Sequence, residues 1–144
     1  MKIEKYVEKS PIFAILNASH RINSSIKKNF DKLGLNHLEA IILVGLYFEK
    51  PGSVTPSELA SALKVSRASI SQSITSLQKK KMAQRNSVSE DARRYRITLT
   101  SSGLQKVNVL IKLFDAFQNS IEQRVGLRRT EELAQEISGL YSFL

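Results

Sequence analysis

The sequence predicts a mostly α-helical protein with one small β-hairpin, an α+β fold. Three observations lead there. Through most of the 144 residues apolar side chains return at steps of three, four and seven, the period of a helix with one buried face. Residues 82–88 and 94–99 instead read as strands, the second in strict alternation, on either side of a short charged turn. Cap residues or prolines stand at the starts of the helical stretches, at Pro11, Asn36, Thr55, Ser66 and Thr100.

The elements follow in order. After Pro11 a helix runs over residues 12–33, with Ile12, Ile15, Leu16, Ile22, Ile26, Phe30 and Leu33 returning to one face. Gly34 ends it, because glycine takes a left-handed cap without steric cost. Asn36 caps a second helix in which Leu38, Ile41, Ile42, Leu43, Leu46, Tyr47 and Phe48 are apolar around most of the circumference, as in the middle of a fold. A turn at Pro51-Gly52 follows. Thr55-Pro56-Ser57-Glu58 is a capping box with proline at the first helical position, so a short third helix runs to about Leu63. Lys64-Val65 makes a tight turn, and Ser66 caps a fourth helix from Arg67 to about Lys80. Two short helices joined so briefly form a helix-turn-helix. On the fourth helix Ile70, Ile74 and Leu77 share one face, while Ala68, Ser69, Gln72, Thr75, Ser76 and Lys79 occupy the other.

Strands at Met82–Val88 and Arg94–Leu99 flank a tip of Ser89-Glu90-Asp91-Ala92-Arg93. Thr100 caps a long helix from Ser101 to Val125 whose apolar stripe runs from Leu104 to Val125. At about 1.5 Å per residue that helix spans about 38 Å, more than a domain of this size covers by itself. Gly126 breaks it, and a last helix near Thr130 to Phe143 ends in Leu140, Tyr141, Phe143 and Leu144.

Charge narrows the function. The chain carries a formal +9, and residues 64–100 hold nine Lys or Arg against two acidic residues. Clustered cations favour a polyanionic partner. Without cysteine there is no disulfide framework, thiolate metal site or thiol switch. The histidines, His20 and His37, lie on different helices without ligands at metal spacing, so neither a metal nor a cofactor is expected. The N-terminal stretch lacks the continuous apolar core of a signal peptide, and no apolar run reaches the length of a membrane span. A cytoplasmic protein that is not an enzyme is expected, since no nucleophile set or phosphate-binding glycine loop appears.

Residues from about 20 to 127 resemble the MarR family of winged helix-turn-helix transcription regulators. Leu77 to Gly103 carries most of the likeness: Asp91-Ala92-Arg93 matches the acidic-x-arginine wing signature, and Leu99-Thr100-Ser101-Ser102-Gly103 matches the "LT..G" start of the dimerisation helix. Ser57-Glu58-Leu59-Ala60 and Val65-Ser66 match the helix-turn-helix pattern. The chain departs at Lys81, where relatives commonly have glycine, and at Gln72, Thr75 and Ser76, where they often carry charge. The resemblance implies residues 36–100 as the DNA-binding domain, with 1–35 and 101–144 as a helical dimerisation region. It further implies a homodimer on a palindromic operator, often a repressor released by a small aromatic or anionic ligand.

Candidate contacts to double-stranded DNA follow. Gln72 can pair bidentately with adenine, and Ser69, Ser71, Thr75 and Ser76 can bond bases or phosphates. Arg67, Lys79, Lys80 and Lys81 suit the backbone, and Thr55 and Ser57 add a helix N-terminus for phosphate. Arg93 at the hairpin tip can enter a narrow minor groove, with Asp91 holding the turn or orienting an arginine. Arg94 and Arg96 either reach flanking phosphates or face solvent. An effector cavity is expected near His20, Ser24, Tyr47 and Phe48. The competing reading is a winged helix that meets an acidic protein partner.

Overall fold

The computed structural model describes residues 2–87 and 95–140. Helices α1 (Lys2–Lys9), α2 (Pro11–Leu33), α3 (His37–Phe48), α4 (Pro56–Leu63) and α5 (Arg67–Lys79) precede strands β1 (Ala83–Ser87) and β2 (Tyr95–Leu99). Two more helices, α6 (Ser101–Val125) and α7 (Leu127–Gly139), complete the order. The strands pair antiparallel, with Arg85 opposite Ile97 and Ser87 opposite Tyr95.

Most boundaries follow the caps. Asn36 accepts from the Glu39 N–H while Glu39 reaches back to the Asn36 N–H, and Thr55 and Glu58 repeat the arrangement on α4. Among the described residues two non-glycine residues are left-handed, Lys64 closing α4 and Lys81 in the turn after α5. Lys81 thus takes the left-handed conformation that glycine adopts at least steric cost.

The structure adds two pieces that sequence reading does not supply. Residues 2–9 form a helix, α1, whose Tyr6 ring meets Phe13 edge-on at 5.6 Å. Val54 bridges to Ile97, whose N–H donates to the Val54 carbonyl at 3.1 Å, so the hairpin gains a third, single-residue partner. The last helix also starts at Leu127 rather than near Thr130. Gly126, at φ 86°, turns the chain, and the Thr130 hydroxyl donates back to its carbonyl inside the first turn.

A single core gathers Ile26 and Phe30 of α2, Ile42 and Leu43 of α3, Ile70, Ile74 and Leu77 of α5, Ile97 of β2, and Val107 and Leu110 of α6. Each large side chain so buried contributes about 1.5–3 kcal/mol. Burial then stops short of the helix ends. On α6 no residue beyond Leu110 is fully buried, and α1 and α7 bury none. Ile12, Phe13 and Leu16 on α2, Ile121 and Val125 on α6, and Leu133 and Ile137 on α7 remain exposed. Tyr47 and Phe48, expected to continue the buried surface of α3, also face solvent and meet edge-on with ring centroids 5.4 Å apart.

Candidate nucleic-acid interface

Helix α5 is held from behind, which frees its front. Ile70, Ile74 and Leu77 are completely buried, and Ser66 caps the helix by accepting from the Ser69 N–H at 3.1 Å. The opposite face opens on a groove of about 500 Å³ lined by Ala68, Ser71, Gln72, Thr75, Ser76 and Lys79. The face is nearly neutral, with Lys79 its one cation.

Other expected contacts are spoken for within the chain. The Ser69 hydroxyl shares a 2.8 Å hydrogen bond with that of Ser66 and does not line the groove. At the start of α4 the Thr55 N–H and hydroxyl both donate to Glu58 at 2.7 Å. Those bonds hold the Glu58 carboxyl below its ordinary range, so a carboxylate occupies the turn expected to receive phosphate. Ser57 beside it is exposed, as is Arg67 at the start of α5.

Two cations are tied to partners within the chain. Lys80 donates to both carboxylate oxygens of Glu39, at 2.6 and 2.8 Å. Glu39 is only 1% exposed. Its burial would raise the carboxyl pKa, but hydrogen bonds from Lys80, Ser76 and the Asn36 backbone, with the Lys80 charge, bring it below the usual value. Arg96 donates to the Gly52 and Ser53 carbonyls at 3.1 and 3.0 Å, tying the hairpin to the turn before α4 instead of reaching outward. Arg85 does the reverse. It is exposed on β1, donates to the Thr75 hydroxyl at 2.9 Å and lies over the Tyr95 ring at 4.4 Å. Sequence periodicity offers no signal for Arg85, since its partners emerge only from the strand register. Glu39 was legible as the third residue after the Asn36 cap. Asp91, Arg93 and Arg94 lie outside the described residues.

The expected effector cavity divides. His20 and Ser24 line a hollow of about 520 Å³ with Asn23, Lys27, Asp31 and His37. Tyr47 and Phe48 are absent from it, because they sit at the other end of α3, about 16 Å along the axis from His37. Tyr47 instead borders a separate hollow of about 380 Å³ against Leu104. Among the described residues no cluster of three metal-ligating side chains occurs, and no helix is long and apolar enough to cross a membrane.

A helix-turn-helix whose second helix is braced by a hairpin defines the winged helix-turn-helix class. Residues 33–94 match the MarR family. The HTH-type transcriptional regulator PapX of Escherichia coli is 29% identical over 89 residues, which cover 62% of this chain and 54% of PapX. PrsX of the same species is 28% identical over an equal span. The chain thus spans about half the length of these relatives. Among solved structures, the MepR–DNA complex of S. aureus is similar with a TM-score of 0.81 and 20% identity, covering 94% of this chain and 96% of that one. The transcriptional regulator SlyA is similar at 0.78 and 18% identity, covering 92% and 93%.

Proposed function

We propose that this chain is a DNA-binding transcription regulator, a homodimeric repressor of the MarR type on a palindromic operator. The observation that carries the reading is the open groove along the free face of α5, set between a rigid helix-turn-helix and a cationic hairpin. An α-helix fits the major groove, and side chains of Ser71, Gln72, Thr75 and Ser76 stand where base edges would come. Lys79, Arg67 and Ser57 serve the phosphates, while Ser69 and Thr55 help by holding the two helix starts. In this reading Arg93 contacts the minor groove, Arg94 the flanking phosphates, and Asp91 holds the turn or orients an arginine.

Residues 1–35 and 101–144 form the dimerisation region in this reading, because their exposed apolar stripes are covered once two copies interleave. Two-fold pairing sets half-sites about one helical turn apart. A small aromatic or anionic effector would enter the hollow at His20 and Ser24, acting only as far as it prefers the arrangement that cannot bind DNA.

Titrating a labelled random duplex at several salt concentrations tests the reading. Binding that weakens steeply with salt is expected. A salt-insensitive chain, or one that binds only acidic protein, would end it. On a selected operator, Gln72→Ala is expected to relax preference at one base pair by about 1–3 kcal/mol. An unaltered selection profile would remove Gln72 from base reading.

A further inference from the structure

The exposed face of α5 carries little charge, yet a guanidinium is bonded to its middle. Arg85 reaches it from β1, donating to the Thr75 hydroxyl at 2.9 Å. Thr75 spends its own proton on the Ser71 carbonyl, also at 2.9 Å, so its hydroxyl can only accept from Arg85. The Arg85 guanidinium carbon lies 4.4 Å from the centre of the Tyr95 ring. Stacking fixes the plane of the group, and the Thr75 bond fixes its rotation within that plane. A flexible, exposed side chain is therefore held in place by the recognition helix on one side and the second strand on the other.

We propose that Arg85 is a phosphate-contacting and positioning residue that locks the angle between α5 and the hairpin and presents its guanidinium to the DNA strand running between the two grooves. The inference rests on the DNA-binding reading above. A body that sends a helix into the major groove and a hairpin into the adjacent minor groove must straddle the sugar–phosphate strand separating them, and Arg85 sits at the junction of those elements. Only part of the donor fork goes to Thr75, and the planar remainder matches phosphate oxygens. Lysine in its place would keep the charge and lose both the stack and the fork.

Binding of Arg85→Ala, Arg85→Lys and Tyr95→Leu to a selected operator duplex and to a random duplex, across salt concentrations, tests the assignment. Arg85→Ala is expected to weaken both duplexes alike, by about tenfold, to lower the salt slope by about one, and to leave the selection profile unchanged. Arg85→Lys and Tyr95→Leu should keep the wild-type salt slope and still lose several-fold in affinity, which a mere surface charge would not do. Unchanged affinity and slope in folded Arg85→Ala would overturn the inference while leaving the DNA reading intact. A changed preference at one base pair with an unchanged slope would overturn it in favour of base reading. If the wild-type chain binds no duplex, the DNA reading itself fails and the phosphate contact with it.

Discussion

Replacing Gly103 with alanine is expected to destabilise the fold by about 3 kcal/mol, the upper part of the range for overpacking, because the added methyl has no room to enter. A Cβ there would collide with the Met82 carbonyl oxygen and meet its carbon at 2.9 Å and a Leu99 methyl at 3.4 Å. The obstructing atoms are backbone, so no side-chain rotation relieves them. Nor is that carbonyl free to retreat: it accepts from the Thr100 N–H at 3.1 Å, while the Thr100 hydroxyl donates to the Lys81 carbonyl at 2.6 Å. The same hydroxyl accepts from the Gly103 N–H at 3.1 Å. Chemical unfolding at fixed protomer concentration measures the effect, with exposed Ser102→Ala as the control expected to stay within about 0.5 kcal/mol of wild type. An unshifted midpoint for Gly103→Ala would mean that α6 can lift off the turn at no cost.

Lys80→Met should cost about 2–3 kcal/mol near neutral pH. Removing one partner of a buried ion pair leaves the other charged and unpaired, and the usual 3–5 kcal/mol is reduced here because Lys80 is 34% exposed. Glu39→Gln should cost less, since the amide can still cap α3 and the freed ammonium reaches water. The pH dependence separates the two. In the wild type the Glu39 carboxyl sits below its unfolded value, so its contribution is fully present above the ordinary carboxylate range and is lost as pH falls through the folded pKa. Without Lys80 the folded pKa rises from its wild-type position, because burial is then opposed only by the hydrogen bonds from Ser76 and the Asn36 backbone. The variant's Glu39 therefore contributes less stability than the wild type's once pH climbs into the carboxylate range. The gap between wild type and Lys80→Met should therefore be small in acid and widen toward neutrality. A gap independent of pH would assign the loss to packing of the lysine stem.

Sequence reading reached the helix-turn-helix and the start of α6 because their signals are local. Thr55, Ser66 and Thr100 cap within three residues, and Ile70, Ile74 and Leu77 reveal the buried face of α5 by spacing alone. What escaped was non-local. Arg85, Lys80 and Arg96 all read as basic residues near a hairpin, yet one is bonded to Thr75, one to a buried carboxylate 41 positions away, and one to the turn at Gly52. Periodicity assigns a residue to a face but not to a partner. Tyr47 and Phe48 were misplaced for a related reason: an all-apolar helix does not announce which end leaves the core.

The close seating of Gly103 on Met82 also has a mechanical side. A helix pressed against backbone at its first turn, with no yielding side chain between, behaves as a stiff arm with its pivot at that contact. Val125 lies about 33 Å from the pivot, so a tilt of about 5° at Gly103 moves it by about 3 Å. In the proposed dimer the far ends of two such arms are joined, and the leverage runs backward. A displacement of a few ångströms where the subunits meet becomes a rotation of each winged domain as a rigid piece, which resets the distance between the α5 grooves of the two subunits without unfolding any turn.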